Sequence, residues 1–203
     1  MVDHMAADRK AQLRATLLAS RRAVPSSVRS AEALALATHA ADAVDIGDTV
    51  CAYAPVRSEP GSHELLRRLS ERCARLLLPV VRVEAGQPGP LFWGAYVPGE
   101  LAAGPFGLLE PAGPALPPTA LGDAAVVFVP ALAVDRHGVR LGRGGGFYDR
   151  SLIFRAADCK LVAVVRDSEI VEVLPCEAHD VRMTHALCPE RGLISLKGPE
   201  NTV

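Results

Sequence analysis

The sequence predicts an α/β protein, with helices layered on a mainly parallel sheet. Three observations carry that expectation. Segments with apolar residues at helical spacing alternate with apolar runs of strand length. The runs at 49–54, 75–83, 124–134 and 160–165 read as buried strands. A glycine-rich turn follows the third run, and folds of this class gather ligands at the carboxyl ends of their strands.

The first helix is expected over 6–22. Leu13, Leu17 and Leu18 form its apolar side, and Arg9, Lys10, Arg14, Arg21 and Arg22 lie on the remaining surface. Pro25-Ser26-Ser27 marks a turn and a helix start, and the alanine-rich segment 28–43, with Leu34 and Leu36, favours a second helix. Gly47-Asp48 turns the chain into the strand 49–54, and 55–62 is a loop. Ser62 caps a third helix carrying the leucines of 65–69. Pro79 makes the strand 75–83 an edge strand or a kinked one. Between Gly86 and Pro118 the chain is rich in Pro and Gly. It reads as a hairpin or irregular excursion over the main body, because Leu91, Phe92, Trp93 and Tyr96 need burial. The strand 124–134, the glycine turn, a helix near 145–157, the strand 160–165 and an extended stretch at 182–187 complete the chain.

The 203 residues suffice for one well-packed domain over 1–203. Apolar residues make up 49% and charged residues 22%, ordinary for a globular protein. A net charge of −1 supplies no general field toward nucleic acid or an anionic membrane, so neither is an expected partner. No secretory signal or membrane-spanning run is visible. Cys51, Cys73, Cys159, Cys176 and Cys188 are scattered and odd in number, which fits reduced thiols in the cytoplasm.

Chemistry concentrates in residues 139–150, Val-Arg-Leu-Gly-Arg-Gly-Gly-Gly-Phe-Tyr-Asp-Arg. Three glycines let backbone N–H groups approach a ligand, and Arg140 and Arg143 add guanidinium charge suited to phosphate oxygens. A helix after the turn would add its positive end. The run lacks the spacing, lysine and hydroxyl of a P-loop, and a plain turn with solvated arginines is the alternative. Lys10 and Arg14, four residues apart, share a helix face, which spacing alone reads as a solvated basic stripe. Glu59 stands in a loop where a carboxylate could receive an N–H-rich ligand or simply be exposed. Asp149 and Asp180 could each offer oxygen to magnesium, or serve as caps or surface residues. Asp135 organises a turn, and His179 and His185 match no common metal spacing. Trp93, Phe92 and Tyr96 could cover a flat heterocycle or pack as core or lid.

These residues together resemble the 5-formyltetrahydrofolate cyclo-ligase family, also called methenyltetrahydrofolate synthetases. The resemblance spans nearly the whole chain. Its most specific part runs from Val129-Pro130 to Asp135 and from Gly138 to Asp149, similar to the family's "PG..FD..G.RLGRG.GYYD" signature. The basic helix with Lys10 and Arg14, the loop ending at Glu59, and Gly104 to Pro111, like the family's "G..GI.EP", add to it. His179-Asp180-Val181 is similar to its acidic turn. Ala131-Leu132-Ala133-Val134, Phe147 and Met183-Thr184 depart from the usual Gly-x-x-Phe, tyrosine and Val-Asp.

The resemblance implies a three-layer Rossmann-like fold of the sugar-phosphate isomerase and CoA-transferase type. It also implies ATP- and Mg2+-dependent conversion of 5-formyltetrahydrofolate to 5,10-methenyltetrahydrofolate; separately, a monomer is expected, with nothing in the sequence that fixes oligomeric state. Arg143 and Arg14 are then the catalytic residues. Lys10, Arg14, Arg140, Leu141, Gly142, Arg143, Gly144, Gly145, Gly146, Phe147 and Tyr148 hold ATP. Arg14, Ala54, Glu59, Phe106, Arg143, Gly144, Gly145, Gly146 and Phe147 hold the folate, with Phe106 suited to stacking on its ring. Asp149 and Asp180 hold magnesium. Two rivals are an ATP-dependent enzyme acting on another formamide or carboxylate, and a non-catalytic nucleotide- or folate-binding regulator.

Overall fold

The computed structural model describes residues 2–84, 87–177 and 180–196, so His179 lies outside the described residues. Seven strands form the main sheet: β1 (Thr49–Cys51), β2 (Arg75–Val80), β3 (Phe92–Ala95), β4 (Val126–Pro130), β5 (Lys160–Val164), β6 (His185–Cys188) and β7 (Gly192–Ser195). Their order is β7-β6-β5-β4-β1-β2-β3. The five central strands are parallel, and β3 and β7 close the two edges antiparallel. The chain winds outward from β1 to β2, then crosses back to lay down β4, β5 and β6 on the other side. Between β1 and β4 the winding therefore reverses.

Side chains alternate across the sheet as the two-residue period requires. Val50, Leu76, Leu78, Val126, Phe128, Val162 and Val164 face one side, beneath helices α2 (Ser26–Asp42) and α3 (His63–Arg72). Leu36, Leu65, Leu66 and Leu69 of those helices are fully buried, each contributing about 1.5–3 kcal/mol. The α3 start follows from its cap: Ser62 Oγ accepts the Glu64 N–H at 3.2 Å. Cys51, Leu77, Val127, Val129, Leu161 and Ala163 face the other side, under short 3-10 turns and α4 (Phe147–Ser151). Trp93 is wholly buried there, so it is a core residue.

Several expectations are corrected. The run 124–134 is not one strand. The chain leaves the main sheet after Pro130, and Ala133–Asp135 pairs with Arg140–Leu141 and Ile170–Val171 in a separate small sheet. Asp135 fastens that hairpin as expected of it: Oδ1 accepts the His137 and Val139 N–H groups, and Oδ2 accepts that of Leu174. Pro79 is neither on an edge strand nor a disruption, because it sits two residues past the last β2 residue paired with β1. The helix expected at 145–157 is α4 alone, five residues long, followed by a 3-10 turn at Leu152–Phe154. Ser151 pins it there, with Oγ donating to the Phe147 carbonyl and accepting the Leu91 N–H. The stretch 182–187 becomes β6, and β7 follows it in a hairpin that sequence reading did not foresee.

Helix α1 (Val2–Ala23) packs Leu13, Leu17 and Leu18 against the small sheet. Lys10 and Arg21, expected on its solvent surface, are buried instead, 8% and 1% exposed. Eleven residues are just over three turns, so the two share the inward stripe with the leucines. Among the described residues no helix is long and apolar enough to cross a membrane.

Candidate functional site

A cavity of about 650 Å³ opens where the winding reverses, beyond the carboxyl ends of β1 and β4. All sixteen residues that the resemblance implies for the site line it, from Lys10 and Arg14 through Ala54, Glu59 and Phe106 to Arg140–Asp149 and Asp180. Elements far apart in sequence thus converge on one volume, of a size that small-molecule sites commonly have.

The glycine turn forms one wall. Gly144 (φ 99) and Gly146 (φ 67) occupy the left-handed region that side chains with a Cβ disfavour. Arg14 clamps the turn from α1, its Nε donating to the Gly142 carbonyl at 2.9 Å. Arg140 is aimed by Asp149, with Nη2 to Oδ1 at 2.6 Å, while its buried Nη1 has no partner. The Tyr148 hydroxyl is likewise buried without a partner. Burial first, and the Glu59 carboxylate second, push its pKa up, so it remains a donor at neutral pH. The exposed Gly144–Gly145 backbone with Arg14, Arg140 and Arg143 beside it is a wall suited to an oxygen-rich ligand. The positive end of a helix contributes little here, because α4 is only five residues long.

The loop after β1 forms the facing wall. Glu59 is turned inward, where Oε2 accepts the Val56 N–H and Oε1 meets Arg143 Nε at 3.1 Å. Arg143 and Glu59 therefore bridge the cavity between the two walls. At the mouth, Phe106 lies 6.1 Å from the Phe147 ring, tilted by 57°. Phe92 and Tyr96 do not line the cavity: Phe92 lies under Arg82, and Tyr96 packs on the main core.

At the α1 end, Lys10 Nζ holds Glu177 at 2.8 Å and Asp180 at 3.2 Å. Burial alone would lower its pKa, but the two carboxylates outweigh burial and raise it, so the ammonium is firmly charged. Asp149 Oδ1 accepts from Arg140 Nη2, and Asp180 Oδ2 accepts from Lys10 Nζ and from the Glu177 N–H. No group of three or more His, Cys, Asp or Glu that could hold a metal occurs among the described residues. Two carboxylates at one cavity are the donor set of an ion that takes most of its ligands from water or a bound anion, and not of an all-protein cage.

Sequence reading missed three contributors. Arg21 donates to the Ala131 carbonyl at 2.6 Å, at the end of β4, and its spacing from Lys10 was the available signal. Glu177 holds Lys10 across 167 residues, and nothing local announces that. Arg57, at the mouth, carries no local signal either.

The family model for the 5-formyltetrahydrofolate cyclo-ligase family matches residues 6–189. A protein of Mycolicibacterium smegmatis named 5-formyltetrahydrofolate cyclo-ligase is 55% identical over 189 residues, covering 93% of this chain and 97% of that one. The solved 5,10-methenyltetrahydrofolate synthetase of Aquifex aeolicus superposes with a TM-score of 0.69 at 25% identity, over 96% of this chain and 99% of that one. The synthetase of Mycoplasma pneumoniae, at 16% identity and a TM-score of 0.65 over 86% and 94%, shares the fold. The glycine–arginine turn, the facing carboxylate and the match along nearly the full length agree, and the chain belongs to the 5-formyltetrahydrofolate cyclo-ligase family.

Proposed function

We propose that this protein converts 5-formyltetrahydrofolate to 5,10-methenyltetrahydrofolate with ATP and Mg2+, releasing ADP and phosphate. The observation that carries the reading is the single cavity in which a glycine turn ringed by Arg14, Arg140 and Arg143 faces Glu59. Its fold type is taken as that of the sugar-phosphate isomerases and CoA-transferases, supported by the reversal of strand order. The working unit is taken as a single chain, because one chain brings Lys10, Arg14, Glu59, Arg140 and Arg143 to one cavity. Five unpaired thiols, three of them buried, support a reducing cytoplasmic setting.

A formamide carbon is a weak electrophile and its oxygen a poor leaving group. In the proposed reaction the formyl oxygen attacks the γ-phosphorus, the bond to ADP breaks, and an imidate phosphate forms. N10 of the folate then attacks the activated carbon, phosphate departs with the formyl oxygen, and the N10 proton leaves on phosphate. Such chemistry needs positioning and charge more than a protein nucleophile. Arg140, Arg143, Arg14 and the Gly144–Gly146 amides would hold the phosphates, and Lys10 would close from α1. Glu59 would accept N–H donors of the pterin, and Arg143, reaching toward it, would stand where the two substrates meet. Asp149 and Asp180 would hold Mg2+, which supplies charge neutralisation of the triphosphate when bound.

The test is methenyl absorbance with purified protein, 5-formyltetrahydrofolate and Mg2+, with and without ATP. Product that requires ATP is expected; its absence would remove the reading. In the same assay Glu59→Ala is expected to raise KM for the folate about tenfold or more, as for a lost charged hydrogen bond, with a smaller change in KM for ATP. Equal loss of both would take Glu59 off the folate side.

A further inference from the structure

Six cations line the cavity, and five already hold a partner. Lys10 is on Glu177 and Asp180, Arg14 on the Gly142 carbonyl, Arg21 on Glu169, Arg140 on Asp149 and Arg143 on Glu59. The sixth, Arg57, makes no hydrogen bond or ion pair among the described residues. Arg57 is also unusual in its backbone, at φ 57, and Phe106 stands at φ 58. Among the described residues these are the two non-glycine residues in the left-handed region, and both line this cavity. That region is unfavourable for residues with a Cβ, and such conformations cluster where a ligand is held.

The two strained residues belong to different elements that meet at the mouth. A Cβ built on Gly107, next to Phe106, would stand 3.5 Å from Arg57 Nη2. Within one loop, then, Glu59 turns its carboxylate inward while Arg57, two residues earlier, stays exposed at the rim. The loop offers an anion inside and a cation outside. A folate has the complementary polarity: an N–H-rich pterin at one end and glutamyl carboxylates at the other.

We infer that Arg57 determines specificity by binding the glutamyl carboxylates of the folate tail at the cavity mouth. This rests on the folate reading above. With the pterin on Glu59, the p-aminobenzoyl segment leads outward past Phe106, and its terminal carboxylates reach the guanidinium fork, whose geometry matches a carboxylate. The chain's net charge of −1 supplies no general attraction for such a tail, so a local cation must.

The test compares KM for 5-formyltetrahydrofolate with KM for 5-formyltetrahydropteroate, which has the same ring system and no glutamate. Arg57→Asn removes the charge while keeping a residue that tolerates the left-handed backbone. It is expected to raise KM for the folate about fivefold, as an exposed ion pair would, with kcat and KM for ATP unchanged. KM for the pteroate should not move, Arg57→Lys should recover most of the loss, and added salt should shrink the difference between native protein and Arg57→Asn. An unchanged KM for the folate, or an equal rise on both substrates, overturns the inference. Native protein that forms no methenyl product from either substrate overturns the folate reading, and this inference with it.

Discussion

Arg143→Ala is expected to lower kcat by about 10²–10³, the usual loss when one preorganised donor is taken from developing charge. Its side chain is 40% exposed and its one ion pair among the described residues is with Glu59, so the fold does not depend on it. In the proposed reaction its guanidinium stabilises the transferring phosphoryl group, an interaction stronger in the transition state than in the bound substrates. Turnover should therefore fall far more than either KM rises, and the thermal midpoint should stay where it is. Steady-state kinetics with both substrates varied, beside a melting curve, checks both halves. Native turnover in this variant would remove Arg143 from the mechanism.

Glu169→Ala is expected to destabilise the protein by about 3–5 kcal/mol, because it strands a buried guanidinium. Glu169 receives Arg21 at 2.7 and 2.6 Å, and its Oε2 also accepts the Arg166 N–H at 2.8 Å. The Arg21 side chain is 1% exposed, so water cannot replace the lost partner. For a domain of this size the thermal midpoint should drop by about 10 °C or more. Arg21 also holds the Ala131 carbonyl, beside the cavity, so any folded remainder should have weakened turnover as well. Breaking the exposed pair of Arg136 and Glu172 in the same way should leave the midpoint unmoved. A native midpoint for Glu169→Ala would show that the buried cluster is not a stabilising element.

What local sequence could reveal, it revealed well. Ser62 before a leucine-bearing segment announced a capped helix, and the unbroken apolar run that includes 126–129 announced a strand buried on both faces. The glycine–arginine turn was legible because glycine at positive φ and arginine beside open backbone have few other uses together. What depends on a distant partner was hidden. The burial of Arg21 requires Glu169, 148 residues away, and that of Lys10 requires Glu177. At the end of α4 Ser151 Oγ accepts the Leu91 N–H, an interaction across 60 residues that a composition favouring a longer helix does not announce. Arg57 was hidden for another reason, since nothing in the residue type foretells a left-handed backbone.

The proposed reaction places phosphate on the formyl oxygen at the arginine-rimmed glycine turn that faces Glu59. The direct measurement is a single reaction of purified protein with ATP, Mg2+ and 5-formyltetrahydrofolate carrying 18O in the formyl group, followed by mass analysis of the released phosphate. One 18O in each phosphate, formed in step with methenyl absorbance, is the expected result. Methenyl product accompanied by unlabelled phosphate, or no ATP-dependent product at all, would contradict it.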